Sequence, residues 1–333
     1  MELNVNWIAP VEHRDYNRMP ASIWIRCLQL FPYLEKLGVR SSFNDPASDA
    51  PITVIVRTQD EQAYLTAQRL KEAGKRIVFD LCVNYFDECR VPGLGEPVSA
   101  GHVEDCLRMV SLADAVACAS DNIARRAGRH HQRVEYLPDS IDLNHFRLVK
   151  DEKDFSRRRL RAVWCGQITK AGDLEPVLPL IKRKKIALTV ISNSKPDLRI
   201  QSRLFRTRKF PYCYRPWRYE TFPEDILQGE ICLTYRETDT TYNLGHSFFK
   251  IGVFMAQGVP AIASPVPSYR ELMDDRQCGR ICRTVEEWEQ ALDEILADRD
   301  MLRQWSSRSR EIMNDYSTEK IAGRYLRLFK ELI

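Results

Sequence analysis

The chain has 333 residues, 44% of them apolar, and a formal net charge of +4; that length exceeds one hydrophobic core and predicts two domains of roughly 150 residues each. No window approaches the ~20 uninterrupted apolar residues of a membrane span, and Met1-Glu-Leu-Asn-Val-Asn-Trp7 has neither a basic start nor an apolar signal core, so a cytoplasmic protein is expected. The charge is too small for a dedicated nucleic-acid binder, and the ten cysteines form no Cys-x-x-Cys pair and have no histidine partners, which predicts buried free thiols and no metal.

Short apolar runs alternate with amphipathic stretches, the pattern of repeated βα units on parallel sheets. In the first half Val5–Ala9, Thr53–Val56, Arg76–Leu81, Ala115–Ala119 and Arg133–Leu137 read as strands. Ser22–Leu37, Gln59–Ala73, His102–Leu112 and Asp121–Ala127 read as the helices between them. Gly38 and Gly74 fall where a helix end wants positive φ, and Ser120 where an N-cap is wanted. The charged stretch from Arg147 to Arg161 lacks apolar periodicity and reads as a linker. Domains over 1–147 and 160–315 are therefore expected.

The pattern restarts with strands Ala162–Cys165, Ile186–Ser192, Tyr212–Tyr214, Ile231–Tyr235 and Ala261–Ala263. Helices are predicted around Leu174–Ile181, over Pro223–Gln228 and over Ser247–Gln257, then over Val285–Asp298, Met301–Asn314 and Thr318–Ile333. The fold class that follows is α/β, with two doubly wound, Rossmann-like domains in series.

The stretch from Asn243 to Tyr269 carries the strongest functional signal. A Gly245-His246-Ser247-Phe248 loop opens a helix that bears Lys250, and Gly258-Val-Pro260 turns into a buried strand. Free N–H groups at a helix start and an adjacent ammonium suit an anion, and a diphosphate is the natural guest. Lys170, after the strand that ends at Gly166, and Arg236 could add charge. Asn193 and Trp217 follow further strands and would border the same crevice, since ligands gather beyond the carboxyl ends of parallel strands. In the first half, Arg14 and Arg18 lie beside the first strand–helix loop, and Asp80, Asn84 and Tyr85 cluster at the end of the strand Arg76–Leu81. Such groups would suit a saccharide acceptor, the arginines an anionic one. Basic clusters at Arg157–Arg161, Lys182–Lys185 and Arg203–Lys209, the last interleaved with Leu204, Phe205 and Phe210, suggest attraction to an anionic membrane surface.

These residues resemble the group 1, family 4-like retaining glycosyltransferases of the two-domain B-type fold. The resemblance rests on Asp114 to Phe146, Ala162-Val-Trp-Cys-Gly166, Met255-Ala-Gln-Gly-Val-Pro-Ala-Ile-Ala-Ser264 and Tyr316-Ser317, with Ala21 to Gly38 and Gly74 to Leu81 added from the first half. It implies two lobes facing a central cleft, an acceptor on the first, a nucleoside diphosphate sugar on the second, and a C-terminal helix, 316–333, crossing back to the first. It implies no cofactor or metal, catalysis by Lys250 and Lys170, and donor binding by Gly166, Asn193, Trp217, Arg236 and the 245–248 loop. The family's two glutamates would fall on Gly245 and Val253, its arginine beside Gly166 is Gln167, and its Gly-Gly loop is absent. A noncatalytic nucleotide-sugar or saccharide-binding partner is thus an alternative, and a sugar-nucleotide epimerase another.

Overall fold

Ile52-Thr-Val-Ile-Val56 is buried along its whole length, as a strand covered on both faces must be. The computed structural model describes residues 3–92, 96–156, 158–200, 208–274 and 277–333. The first domain is built on strands β1 (Leu3–Ile8), β2 (Val39–Phe43), β3 (Ile52–Val56), β4 (Arg76–Leu81), β5 (Ala115–Cys118) and β6 (Val134–Tyr136). They form one parallel sheet in the order β2-β1-β3-β4-β5-β6.

The second domain contains β7 (Arg161–Cys165), β8 (Ala187–Ser192), a short antiparallel pair β9 (Arg199–Ile200) and β10 (Arg208–Lys209), then β11 (Cys213–Pro216), β12 (Ile231–Thr234), β13 (Ala261–Ala263) and β14 (Gly279–Ile281). Its main sheet is parallel in the order β11-β8-β7-β12-β13-β14. Strand order reverses between β1 and β3 in one sheet and between β7 and β12 in the other. Those two points are where a doubly wound sheet opens a crevice for ligands.

Several elements were not expected, among them the edge strands β2 and β14, the short pair β9 and β10, and the helices Thr241–Leu244 and Pro267–Met273. Both edge strands are only partly buried and carry polar residues, so their apolar runs are weak. The expected single helix over Ser22–Leu37 is broken into an α turn at Ala21–Ile23, a π turn over Trp24–Leu28 and a helix over Phe31–Lys36. All five residues of the π turn are buried, Arg26 among them. A widened turn is a known device at functional or packing irregularities, and here it accommodates a guanidinium aimed into the protein. Gly38 and Gly74 do take φ of +79°, ending their helices as expected.

The helix Thr318–Leu332 packs on the first domain although it follows the second in sequence. Ile321, Ala322, Tyr325, Leu328, Phe329 and Leu332 share a core with Trp7, Val54 and Leu34. Arg76 Nε donates to the Leu332 carbonyl at 3.1 Å. Among the described residues no helix is long and apolar enough to cross a membrane.

The domains meet through specific contacts. Tyr219, beyond β11, stacks on Tyr16 at 4.5 Å and on His145 at 4.0 Å. Asn17 donates to both Glu220 carboxylate oxygens and accepts from the Tyr219 N–H. On the other side of the junction Asn84 Nδ2 donates to the Thr241 carbonyl, Ser120 Oγ to the Gly245 carbonyl, and Arg90 to Glu237 and Asp239.

Candidate active site

At the carboxyl end of β7 the chain reaches Gly166, whose N–H donates to Ile191. A Cβ there would lie 2.7 Å from the Trp164 ring and 3.3 Å from Lys250 Nζ. Only glycine leaves the lysine room. Lys250 stands in the first turn of the helix Phe249–Ala256, with Nζ 4.8 Å from the Trp164 ring centroid. Its Nζ is buried and has no hydrogen-bond acceptor. An ammonium without a partner is costly in such a place. Burial first, and then nearby Arg236, lower its pKa to about 8.

Lys170 sits in the turn after β7, its Nζ 5.7 Å from the Tyr242 ring. Burial, Arg236 and Lys250 push its pKa down to about 7. Arg236 follows β12, on the other side of the reversal point, and is buried. Its Nε donates to Tyr269 Oη and its Nη1 to Asn243 Oδ1, each at 3.3 Å. Asp173 is the carboxylate in this field; burial raises its pKa while Lys250, Arg236 and Lys170 oppose that rise. His246 has a buried Nε2 without a partner, and burial followed by the same three cations holds its pKa well below the ordinary imidazole value. Mutually repelling cations, with Lys250 lacking an acceptor, form an arrangement that suits an anion.

The helix bearing Lys250 begins two residues later than expected, at Phe249, with Phe248 as its N-cap. Ser247 Oγ accepts from the Phe249 N–H and donates to Asp139 of the first domain. The N–H groups of Ser247, Phe248 and Lys250 have no acceptor among the described residues. The helix start therefore lies at the junction with open donors, as P-loop-like and related anion sites require.

Beside this cluster lies a cavity of about 410 Å³ between the domains, lined by Arg18, Trp24, Gly166, Gln167, Asn193, Trp217, Phe222, Phe249, Lys250 and Val253 among others. Its walls are mostly apolar, with Trp24, Trp217, Phe222 and Phe249 among them, and Arg18 and Lys250 are the charged residues on its lining. Val253, where the family glutamate would fall, is an apolar wall of this cavity and 1% exposed. Asn193 Oδ1 accepts from the Ile168 N–H at 2.9 Å, which fixes the turn leading to Lys170.

Several expected contacts are corrected by the structure. Asp80 is fully buried in a bidentate pair with Arg26, 2.8 and 2.9 Å, and also accepts from Tyr325 Oη; it holds the C-terminal helix and is unavailable to an acceptor. Asn84 is buried between Asp87, Phe86 and the Thr241 carbonyl, a domain contact. Gly245 faces Asn84, whose Cβ would be 2.6 Å from an added methyl, so its role is close approach of the domains. The Phe248 ring packs in the core 4.6 Å from Tyr316, leaving only its backbone to the site. Arg14 lies over the Phe43 ring at 5.5 Å, whereas Arg18 reaches the cavity. Tyr85 is half-buried and stacks on His102. In the basic clusters, Arg183 and Lys184 pair with Glu289 and Asp293, and Phe210 is a core residue. Positions 157 and 201–207 lie outside the described residues.

No protein-family model matches the sequence, and no curated protein matches it. Solved structures do. Sucrose-phosphate synthase from Thermosynechococcus elongatus superposes with a TM-score of 0.74 at 12% identity, over 99% of both chains. HepE from Anabaena, solved with UDP-glucose, gives 0.73 at 10% identity over 99% of this chain and 100% of its own. A glycosyltransferase from Rickettsia africae gives 0.64 at 12% identity over 99% and 98%. The chain has the B-type glycosyltransferase fold. In this B-type chain both lobes and the returning helix are present, and the cavity and cation cluster occupy the gap between the two reversal points.

Two charges of the site belong to no motif. Asp139 is in a loop that only the folded chain brings to Ser247, and Asp173 shares the short helical turn Ile168–Leu174 with Lys170 while Lys250 and Arg236 reach it from far along the chain.

Proposed function

We propose that the protein transfers a sugar from a nucleoside diphosphate sugar to a saccharide or lipid-linked saccharide, with retention at the anomeric carbon and without a metal. The observation that carries this reading is the buried, unpartnered Nζ of Lys250, grouped with Lys170 and Arg236 beside an interdomain cavity. Trp217, Phe222 and Phe249 offer the nucleoside flat apolar walls, which suit a base. As the bond from the anomeric carbon to the diphosphate oxygen breaks, its electron pair moves onto the diphosphate. Lys250, Lys170, Arg236 and the open amides at Ser247 and Phe248 then face a growing negative charge. Fixed donors in a water-poor site stabilise that charge more in the transition state than in the ground state.

Structures of the same fold have been solved with UDP-glucose and with UDP, so uridine is the first base to test. Titration calorimetry with UDP, followed by other nucleoside diphosphates, is the direct experiment. Saturable binding that Lys250→Ala abolishes supports the reading; no binding of any nucleoside diphosphate would end it. A lipid-linked acceptor would bring the protein to an anionic membrane face, and flotation with neutral and acidic vesicles tests that part separately.

A further inference from the structure

Two serine hydroxyls stand at helix starts on opposite sides of the domain junction, and each works in both directions. Ser120 of the first domain accepts from the Ile123 N–H, capping the helix Asp121–Ala127, and donates to the Gly245 carbonyl of the second domain at 2.8 Å. Ser247 of the second domain accepts from the Phe249 N–H, where the helix bearing Lys250 begins, and donates to the Asp139 carboxylate of the first. Asn84 Nδ2 makes a third crossing, 3.1 Å to the Thr241 carbonyl. A methyl on Gly245 would come within 2.6 Å of the Asn84 Cβ, so glycine is what lets the two backbones meet here.

These three crossings fall on one stretch, residues 241–247, and the candidate site is built on it. Asn243 accepts from Arg236 Nη1 and donates to the Glu237 carbonyl, and Lys250 with the open N–H groups of Ser247 and Phe248 lies at the far end. Asp139 is the crossing with the firmest support. It is 6% exposed, and its other oxygen takes Arg26 Nη1 at 3.3 Å. Arg26 is in turn fixed by Asp80, which also accepts from Tyr325 of the last helix. The single hydrogen of the Ser247 hydroxyl is therefore committed to a carboxylate that cannot swing away, and its oxygen is committed to the Phe249 N–H. A hydroxyl used in this way has no hydrogen left for a ligand; what it does is fix the direction of the amides beside it. By charge alone a carboxylate next to an anion site opposes the anion. By geometry this one prepares the donors, and the two effects have opposite signs.

We propose that Asp139 is a positioning residue: by holding the Ser247 hydroxyl from the first domain, it aims the open amides of Ser247 and Phe248 at an anion bound at the helix start in the second. The inference rests on the transferase reading for the identity of that anion, the donor diphosphate. Donor affinity then depends on a first-domain side chain that acts through Ser247 and not on the ligand, so the anion site is complete only when the two domains meet.

The test titrates the full chain with UDP and with uridine, which lacks the diphosphate. Asp139→Ala deletes a negative charge near the anion, which by itself would tighten UDP. Positioning demands the reverse: UDP should bind at least about fivefold more weakly, while uridine changes by less than about twofold. Asp139→Asn deletes the same charge but keeps an acceptor for the hydroxyl, and should recover most of that loss. Ser247→Ala leaves Asp139 paired with Arg26 and removes the same hydrogen bond, so it should show the fivefold loss even where Asp139→Ala folds poorly. The double variant should match the weaker single variant within about twofold, because one hydrogen bond is broken in all three. UDP held as tightly as by the wild type, or more tightly, in Asp139→Ala and Ser247→Ala overturns the proposal. So do equal losses for UDP and uridine, losses that add in the double variant, or a loss in Asp139→Asn as large as in Asp139→Ala; each of these leaves the transferase reading standing. A wild type that binds no nucleoside diphosphate removes that reading and the positioning role with it.

Discussion

Two groups of buried charge lie near the junction, and they are built in opposite ways. In the first domain Arg26 meets Asp80 through two hydrogen bonds, Asp139 at 3.3 Å and the Leu137 carbonyl, while Tyr325 donates to Asp80. Donors and acceptors there are matched. In the second domain Lys250 has no acceptor, Lys170 faces a ring and two other cations, and His246 keeps an unpartnered nitrogen. A matched cluster holds a fold together; an unmatched one costs stability until a ligand arrives, which is the pattern of a site.

Breaking each cluster should therefore act in opposite directions. Arg26→Ala leaves Asp80 buried without its partner and should destabilise the protein by about 3–5 kcal/mol, measured by urea denaturation. Lys250→Met removes an unpaired buried charge and should leave the unliganded protein as stable or more so, yet lower transfer turnover by about a hundredfold or more. A melting temperature that falls in Lys250→Met would erase the distinction between the two clusters.

Acidity sharpens the same contrast. The folded-state pKa values of Lys170 and Lys250, about 7 and about 8, lie below the ordinary 10.5, so between those limits the unfolded chain binds more protons than the folded one. This contribution to stability without ligand should rise with pH from about 7 towards 10.5, while UDP affinity should fall over the same interval because the anion needs the protonated amines. Calorimetry at pH 8 in buffers of different ionisation enthalpy should register proton uptake on UDP binding; none would mean that these lysines do not meet the phosphates. The smallest effect is expected at the clasp: Tyr219→Ala removes stacking on Tyr16 and His145 and should cost about 1 kcal/mol in stability. A modest rise in KM with kcat nearly unchanged is the kinetic counterpart, measured by steady-state assay.

Much of the fold was legible because β3, β4, β5, β8 and β12 are largely apolar runs, as strands buried on both faces favour, Asp80 entering β4 through its pair with Arg26. The edge strands β2 and β14 were not, since exposure lets Arg40, Ser41 and Arg280 into them. Lys170 and Trp217 could be singled out because they follow strands whose ends define the crevice, and Lys250 because it stands at the start of a helix opened by a glycine-containing loop. Asp80, near the end of β4, and Asn84, just after it, are as well placed and are fasteners, because the helix Thr318–Leu332 and the segment 240–246 reach them from far along the chain. Position after a strand tells where a side chain will be, while only the distant partner decides what it does.

The last helix has a consequence for how this molecule is made. Trp7 lies 5.6 Å from Tyr325 and 6.1 Å from Phe329, so a residue of the first strand waits for a helix made after the whole second sheet. On the ribosome the leading half must stay incomplete, with Asp80 uncapped and its apolar flank uncovered, until synthesis has passed Leu332. Birth order and assembly order run against each other here, and the unfinished half is the stage most exposed to chaperones and proteases.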